Sequence, residues 1–210
     1  MRFADLDAVT VDGFGTLIEL ESPLARLAEG LEAHGIHRSL PEVEEAFAAE
    51  VRYYRPHAHL ARDERSLEHL RRDCVRVFLD ALAAPLDPDD FVVPFLQALV
   101  FRPVAGATDA LAVLRTHGLK LAVVSNWDCA LPARLAEIGL HECFDELVTS
   151  AEAGAPKPEP LLFRLALERL GAVPERALHV GDEPDDELGA RAAGMHFAPA
   201  PLSRAVAGLL

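Results

Sequence analysis

Short apolar runs alternate with stretches of helical periodicity, and this alternation constrains the fold more than any other feature of the chain. Four runs that end in a polar residue or a glycine are typical of buried parallel strands: 7–12, 119–125, 146–150 and Ala177–Gly181. Helical patterns flank the later runs, at 107–117, 129–138, 160–170 and 185–193. Because strands and helices alternate with short connections, the sequence predicts a doubly wound α/β sheet.

The segment from about residue 20 to residue 101 departs from this alternation. It contains no convincing strand, and its helical patterns lie at 23–34, 41–55, 64–82 and 88–99. We interpret it as an all-helical insertion after the first strand. The predicted domains are therefore an α/β core formed by residues 1–20 and 101–210 and a helical insertion formed by residues 21–100.

The charge of the chain narrows the choice of binding partners. The 210 residues carry a formal net charge of -14, and an acidic surface repels nucleic acid and anionic membranes. No apolar run approaches the ~20 residues that a membrane span requires, and the N-terminus lacks the pattern of a signal peptide. Cys74, Cys129 and Cys143 are widely spaced, which favours free thiols in a reducing compartment. We expect a cytoplasmic monomer or homodimer that binds neither nucleic acid nor membranes.

Polar side chains cluster where the predicted strands end. Asp12 closes the first strand, Ser125 ends the second, Lys157 follows the third, and Asp182 begins an acidic segment at the end of the fourth. Because the carboxyl ends of parallel strands meet at one edge of a sheet, we expect these side chains to form one site. The carboxylates could hold Mg²⁺, and Ser125 with the following amides could bind anionic oxygens at a helix N-terminus. Such a set suits phosphoryl transfer through an aspartyl-phosphate on a small anionic substrate.

Four motifs carry a resemblance to a known family. They are DGFGT (12–16), SNWD (125–128), the segment around Lys157, and GDEPDD (181–186) continuing into ELGARAAGM. In this order, on this strand framework, they resemble the motifs of the haloacid dehalogenase-like (HAD) hydrolase superfamily. The helical insertion is similar to the cap that subfamily IA members carry between the first two motifs. The resemblance implies a Rossmannoid parallel-sheet core with an inserted all-helical cap.

The resemblance also implies a role for each matching residue. Asp12 corresponds to the nucleophile, and Lys157 to the cation that stabilises the nucleophile and the intermediate. The implied Mg²⁺ ligands are Asp12, the main-chain carbonyl of Phe14, Asp182 and Asp186, with Asp185 as the alternative to Asp186. The implied phosphate-binding residues are Ser125, Asn126 and Thr16.

Phe14 departs from the pattern of the family's phosphatases, which usually carry a second aspartate at this position. That aspartate protonates the leaving group and then activates water, and general acid–base help of this kind accelerates a reaction ~10²–10⁴-fold. Phenylalanine does neither. From their places in the sequence, Asp128 or Glu183 could substitute for it.

Phe14 also bears on the type of reaction. Haloacid dehalogenases of the family carry an aromatic residue here, but their fourth motif is metal-free, whereas GDEPDD keeps an acidic pair. Phosphonate-cleaving relatives need a cap lysine, and the insertion contains none. We therefore predict a Mg²⁺-dependent phosphatase-type hydrolase for a small phosphorylated metabolite. The alternatives are a metal-independent 2-haloacid dehalogenase and a phosphate- or ligand-binding protein with weak turnover.

The segment RYYRPHAHLAR, residues 52–62, is the most unusual part of the insertion. It holds both tyrosines of the chain next to Pro56, which we expect to break a helix. One interpretation is a recognition surface on which Tyr53, Tyr54 and Arg55 contact the substrate. The other is a solvated helix end.

Overall fold

The computed structural model describes residues 1–209, which form seven strands. In chain order they are β1 (Ala8–Val11), β2 (Ile18–Leu20), β3 (Phe101–Pro103), β4 (Lys120–Ser125), β5 (Glu146–Thr149), β6 (Ala177–Gly181) and β7 (His196–Pro199). Five of them form one parallel sheet in the order β5-β4-β1-β6-β7. The predicted sheet is confirmed, and β7 adds an edge strand that the sequence analysis did not include.

The same residues form ten α-helices. They are α1 (Pro23–Ala33), α2 (Leu40–His57), α3 (Glu64–Ala81), α4 (Pro88–Ala98), α5 (Ala107–Thr116), α6 (Leu131–Glu137), α7 (Ser150–Ala153), α8 (Leu161–Leu170), α9 (Pro184–Ala192) and α10 (Leu202–Ala207). Within residues 1–209, no helix has both the length and the apolar character that crossing a membrane requires. All three cysteines are free thiols.

Helices cover both faces of the sheet, so β1 is buried on both sides. Val9 and Val11 pack into a core shared with α5, α6 and α10. Ala8 faces the opposite core, which α8 and α9 complete. Near-continuous apolar strands are what a parallel sheet between two helical layers requires, so the strand runs could be recognised in the sequence.

β1 lies at the centre of the sheet and sets the position of the site. Val11 lies opposite Val123 of β4 and Val180 of β6. The three strands therefore end side by side, and the residues that follow them share one edge. This edge is the expected place for a ligand in an open α/β sheet.

The helical insertion has a hydrophobic core of its own, which includes Phe78, Phe91 and Phe95 from α3 and α4. The chain enters it after β2 and leaves it before β3, and these two strands pair antiparallel with Ile18 opposite Pro103. A helical cap on a Rossmannoid core is thus the observed architecture. We propose that the domain boundaries are the predicted ones, with residues 21–100 forming the cap.

Helix α2 differs from its prediction at its C-terminal end. It continues through Pro56 and ends at His57, whereas we expected Pro56 to break it. Proline removes one backbone donor and crowds the carbonyl of the preceding turn, and the α-helix ends one residue after it, at His57. Pro56 therefore lies in the last turn and does not interrupt the helix before it.

Candidate active site

Asp12 follows β1 directly and is held at the sheet edge by its backbone. Its amide donates to the carbonyl of Val180 at 2.9 Å, and only 6% of the residue is exposed. The Ser125 hydroxyl donates to Asp12 Oδ1 at 3.2 Å. A Cβ at Gly13 would stand 2.7 Å from Ser125 Oγ, so glycine is needed for this close approach.

Lys157 reaches Asp12 from the loop between α7 and α8. Its ammonium group donates to Asp12 Oδ1, to Asp186 Oδ1 and, at 3.3 Å, to the carbonyl of Val124. The Asn126 side chain fixes this loop: Lys157 N donates to Asn126 Oδ1 at 2.6 Å, and Asn126 Nδ2 donates to the Lys157 carbonyl at 3.2 Å. Asn126, a predicted phosphate contact, thus also positions the lysine.

The buried charges at this edge shift one another's proton affinity. Burial raises the pKa of Asp12, Lys157 opposes that rise, and the neighbouring Asp186 and Asp182 carboxylates add to it. Burial alone would lower the pKa of Lys157, but the charges of Asp12 and Asp186 outweigh it, so the pKa of the lysine is raised. Lys157 therefore stays protonated, and added positive charge beside Asp12 would favour its carboxylate form.

Three carboxylates converge at the sheet edge. Asp12, Asp182 and Asp186 each offer an oxygen, and these oxygens lie within 4.8 Å of one another. Oxygen ligands at this spacing suit a hard divalent cation such as Mg²⁺. Across residues 1–209 no backbone or side-chain group donates to the Phe14 carbonyl, which leaves that oxygen free for the predicted ligation. The donor set therefore fits the expected metal.

Asp182 is positioned by the turn that follows Asp12. The Thr16 hydroxyl, fully buried, donates to Asp182 Oδ1 at 2.8 Å. Gly15 has a φ of +88°, and a Cβ there would stand 2.4 Å from Asp182 Oδ2. Thr16 was predicted to bind phosphate; in this structure its hydroxyl holds a metal-site carboxylate, and a phosphate contact stays a prediction.

A buried chain of polar groups, which was not predicted from the sequence, supports Asp186. His179 Nε2 lies 3.1 Å from Asp186 Oδ1, and His179 Nδ1 lies 2.8 Å from the Thr10 hydroxyl. Burial alone would raise the pKa of Asp186, but the hydrogen bond with His179 and the charge of Lys157 outweigh it and lower the pKa. The available signal was a histidine inside the otherwise apolar strand β6.

The sheet edge forms the base of a cavity of about 510 Å³ whose roof is the cap. Tyr54 and Arg55 both line it, and both are bonded to the core: Tyr54 donates to Asp128 Oδ2 at 2.9 Å, and Arg55 lies 2.8 Å from Glu183. Tyr53 is not part of the lining, and its hydroxyl donates to Asp73 at 3.2 Å. Direct substrate contact by Tyr53, Tyr54 and Arg55 stays a prediction.

Comparison with known proteins places this geometry in a family. A family model described as haloacid dehalogenase-like hydrolase matches residues 6–194. The chain is 36% identical over 198 residues to mouse haloacid dehalogenase-like hydrolase domain-containing protein 3, covering 90% of this chain and 79% of the relative. The chain belongs to the HAD hydrolases. It is therefore a hydrolase of this superfamily, as the four motifs indicated.

Two further similarities come from microbial proteins. A HAD hydrolase of subfamily IA from Geobacter sulfurreducens has the same fold, with a TM-score of 0.66 and 24% identity over 98% of this chain and 97% of that one. Glyceraldehyde 3-phosphate phosphatase from Methanothermobacter thermautotrophicus is 40% identical over 103 residues, covering 46% of this chain and 43% of the relative. The second similarity spans less than half of either protein.

The prediction of a helix N-terminus directly after Ser125 is wrong for this HAD hydrolase. Helix α6 begins only at Leu131, so the amides that follow Ser125 belong to a loop and not to a helix N-terminus. The loop is stabilised by Asp128, whose Oδ1 accepts from the Ala130 amide at 2.8 Å. Tyr54 donates to the other oxygen of Asp128, so this carboxylate also connects cap and core, and its role as a substitute acid stays a prediction.

Proposed function

We propose that this HAD hydrolase is a Mg²⁺-dependent phosphatase that acts on a small phosphorylated metabolite through an aspartyl-phosphate on Asp12. The observation that carries the proposal is the set of three converging carboxylates beside the buried, protonated Lys157. The similarity to a relative named as a phosphatase supports the same activity. The two metal-competent acids after β6 are the features that a halide-releasing site does not need.

The chain's own residues account for most of the proposed reaction. Mg²⁺, held by Asp12, Asp182, Asp186 and the Phe14 carbonyl, would offset the negative charge of the phosphate facing a carboxylate. Asp12 attacks phosphorus, the bond from phosphorus to the leaving oxygen breaks, and Lys157 stabilises the resulting acyl phosphate. Water then cleaves the phosphorus–oxygen bond to Asp12, which releases phosphate and regenerates the carboxylate.

The leaving group receives no proton from position 14, because Phe14 is there. The two proposed substitutes are both engaged: Asp128 accepts from Tyr54 and Ala130, and Glu183 pairs with Arg55. We therefore expect esters with good leaving groups, such as acyl and aryl phosphates, to turn over faster than alkyl phosphates.

The test is phosphate release from acetyl phosphate and aryl phosphates, with Mg²⁺ and with EDTA. We expect release that EDTA abolishes and that Asp12→Asn reduces by roughly 10³-fold or more. Tight phosphate binding without release would indicate a binding protein. Release that persists unchanged in Asp12→Asn would refute the proposal.

A metal-independent 2-haloacid dehalogenase is the second candidate, and Phe14 is the observation that favours it. Phe14 is 42% exposed and lines the cavity together with Asp12. A carboxylate that attacks carbon expels halide without a proton donor, so an apolar residue here would be adequate. Halide release from 2-chloropropionate in EDTA, lost in Asp12→Asn, would establish this reaction and exclude the phosphatase as the main activity.

A further inference from the structure

The cap side of the cavity is lined mainly by apolar side chains. They come from the cap helices and from the strand pair that joins cap and core: Leu20, Phe47, Val51, Leu70, Phe95, Leu96, Leu99 and Phe101. Surfaces of this kind bind hydrocarbon, because its transfer out of water is favourable. Phosphate itself gains nothing from them, so they face the organic part of a substrate.

Three charged side chains, Glu50, Arg55 and Arg71, also line the cavity from the cap, and Glu50 is the buried one of the three. It lies on α2, lines the cavity, and is only 6% exposed. Burial raises the pKa of Glu50 to about 7, and across residues 1–209 the Cys74 thiol is the one group that counteracts this rise. Asp12 and Asp186 at the base of the cavity have Lys157 as a partner, whereas no basic group within residues 1–209 counteracts the pKa rise of Glu50.

A buried carboxylate without a partner is costly, so its position needs an explanation. Transferring a polar group into an apolar environment without a full hydrogen bond is unfavourable. A methionine or leucine at this place on α2 would fill the same volume at no such cost. Among residues 1–209 the Cys74 thiol is the one group that hydrogen-bonds the carboxyl group, and a thiol is a weak partner. The cavity lies on the accessible side of Glu50, so a molecule that enters it can reach the carboxyl group.

We propose that Glu50 is the recognition residue for a hydrogen-bond donor, a hydroxyl or an ammonium group, on the organic part of the substrate. The proposal rests on the proposed phosphatase function. Glu50 precedes Tyr54 by one helical turn, about 6 Å along α2, and Tyr54 already contacts the core. The recognised donor thus lies on the side of the molecule remote from the phosphate, and a hydrocarbon body connects the two.

Three aryl phosphates with similar leaving groups test this assignment. They are 4-ethylphenyl phosphate, 4-(hydroxymethyl)phenyl phosphate and 4-(aminomethyl)phenyl phosphate. We expect wild type to prefer at least one of the two donor-bearing esters over the ethyl ester by roughly 5–150-fold in kcat/KM, the range for a buried hydrogen bond left unmade. Glu50→Met should remove this preference, and Glu50→Gln should keep the preference for hydroxymethyl but lose that for aminomethyl.

A matched control separates recognition from a general effect of the substitution. Glu45 lies on the same helix but is exposed. Glu45→Met makes the same chemical change there and should leave the ranking of the three esters as in wild type. The melting temperature of Glu50→Met should equal or exceed that of wild type, because a buried charge is removed. A marked fall in melting temperature would indicate a structural role instead and overturn the proposal.

The outcomes distinguish this inference from the phosphatase proposal. If wild type hydrolyses acetyl phosphate but ranks the three aryl esters as Glu50→Met does, the recognition role is wrong and the phosphatase stands. If wild type does not hydrolyse acetyl phosphate, the phosphatase proposal fails by itself. In that case calorimetric binding of the three esters to the two proteins decides: a donor preference in wild type that Glu50→Met lacks supports recognition, and equal affinities refute it.

Discussion

The base and the roof of the cavity differ in how their buried carboxyl groups are paired. At the base, Asp12 and Asp186 share the ammonium group of Lys157, and His179 supports Asp186 from below. In the roof, Glu50 is buried among apolar side chains with only a thiol beside it. The base is thus a pre-organised electrostatic site that is complete without a substrate's organic group. The roof is completed only by its ligand, which is how one reaction can be directed to one class of substrate.

Replacing Lys157 should have the largest effect on the activity and the stability of the site. Lys157→Met leaves two buried carboxylates without their cation, so we expect phosphatase activity to fall roughly 10²–10³-fold. Stability in EDTA should fall by about 3 kcal/mol or more, the usual cost of breaking a buried pair. Phosphate release and urea denaturation measure the two effects. Lys120→Met, which replaces the other lysine at an exposed position, is the control and should change activity little.

The buried carboxyl group of Glu50, in the roof, should make the stability of the protein depend on pH. The pKa of Glu50 is about 7 in the folded protein against an ordinary 4.5. The folded state therefore holds a proton that the unfolded state has lost between these values. The free energy of unfolding of wild type should fall as pH rises through this window, by up to about 3 kcal/mol. In Glu50→Gln this contribution disappears.

Urea denaturation gives the free energy of unfolding of wild type and of Glu50→Gln at pH 5 and at pH 8. The difference between the two proteins should change between these pH values, and that change is the contribution of Glu50. Glu45→Gln serves as the exposed control on the same helix. Wild type and Glu50→Gln losing the same stability between the two pH values would show that Glu50 ionises normally.

An aspartate at position 14 would add a proton donor to the sheet edge at the bottom of the cavity. Because the two candidate substitutes, Asp128 and Glu183, are bonded to other groups, Phe14→Asp should raise kcat for alkyl phosphates at least ~10-fold, with a smaller gain for acetyl phosphate, whose leaving group needs no proton. Steady-state rates on the two substrate types measure this. Phe14→Asn, which adds a polar group of the same size without an acid, should give no such gain. Equal rates in Phe14→Asp and wild type would mean that another residue already protonates the leaving group.

The smallest expected effect concerns the contact between roof and base. Tyr54→Phe removes the hydrogen bond to Asp128, a loss of about 1 kcal/mol, so KM should rise about fivefold with kcat nearly unchanged. Tyr53→Phe is the matched variant, since Tyr53 donates to Asp73 outside the cavity. A similar rise in KM for both variants would favour the alternative in which both tyrosines contact the substrate directly.

The sequence predicted the base well because its chemistry follows strand ends. Apolar runs marked the strands, and a parallel sheet brings the residues after them together, so Asp12, Lys157 and Asp182 could be grouped before any coordinates. The sequence was less informative about which side chains form hydrogen bonds with each other. Whether the Thr16 hydroxyl faces a phosphate or Asp182 depends on the tight turn at Gly15, and spacing alone does not fix that geometry.

The roof was harder to predict because its important residue looks ordinary in the sequence. Glu50 follows Val43 and Ala46 at helical spacing, on the buried stripe of α2. A glutamate on such a stripe is a recognisable signal, as is His179 inside an apolar strand. The tyrosines and arginines that follow it are more conspicuous in the sequence. Two of those, Tyr54 and Arg55, line the cavity, but their polar groups bind side chains of the core.

The pairing of β2 with β3 has a mechanical consequence. Both connections between cap and core run through this pair, and Glu19 forms an ion pair with Arg102 across it at 3.0 Å. The cap is therefore attached through one two-stranded ribbon and not through two independent tethers. We expect such a ribbon to bend across its plane more readily than its strands slide past each other, so that the cap would rotate about one axis. Opening would then carry Glu50 and Tyr54 away from Asp12 together, and both ends of a bound molecule would be released in one movement.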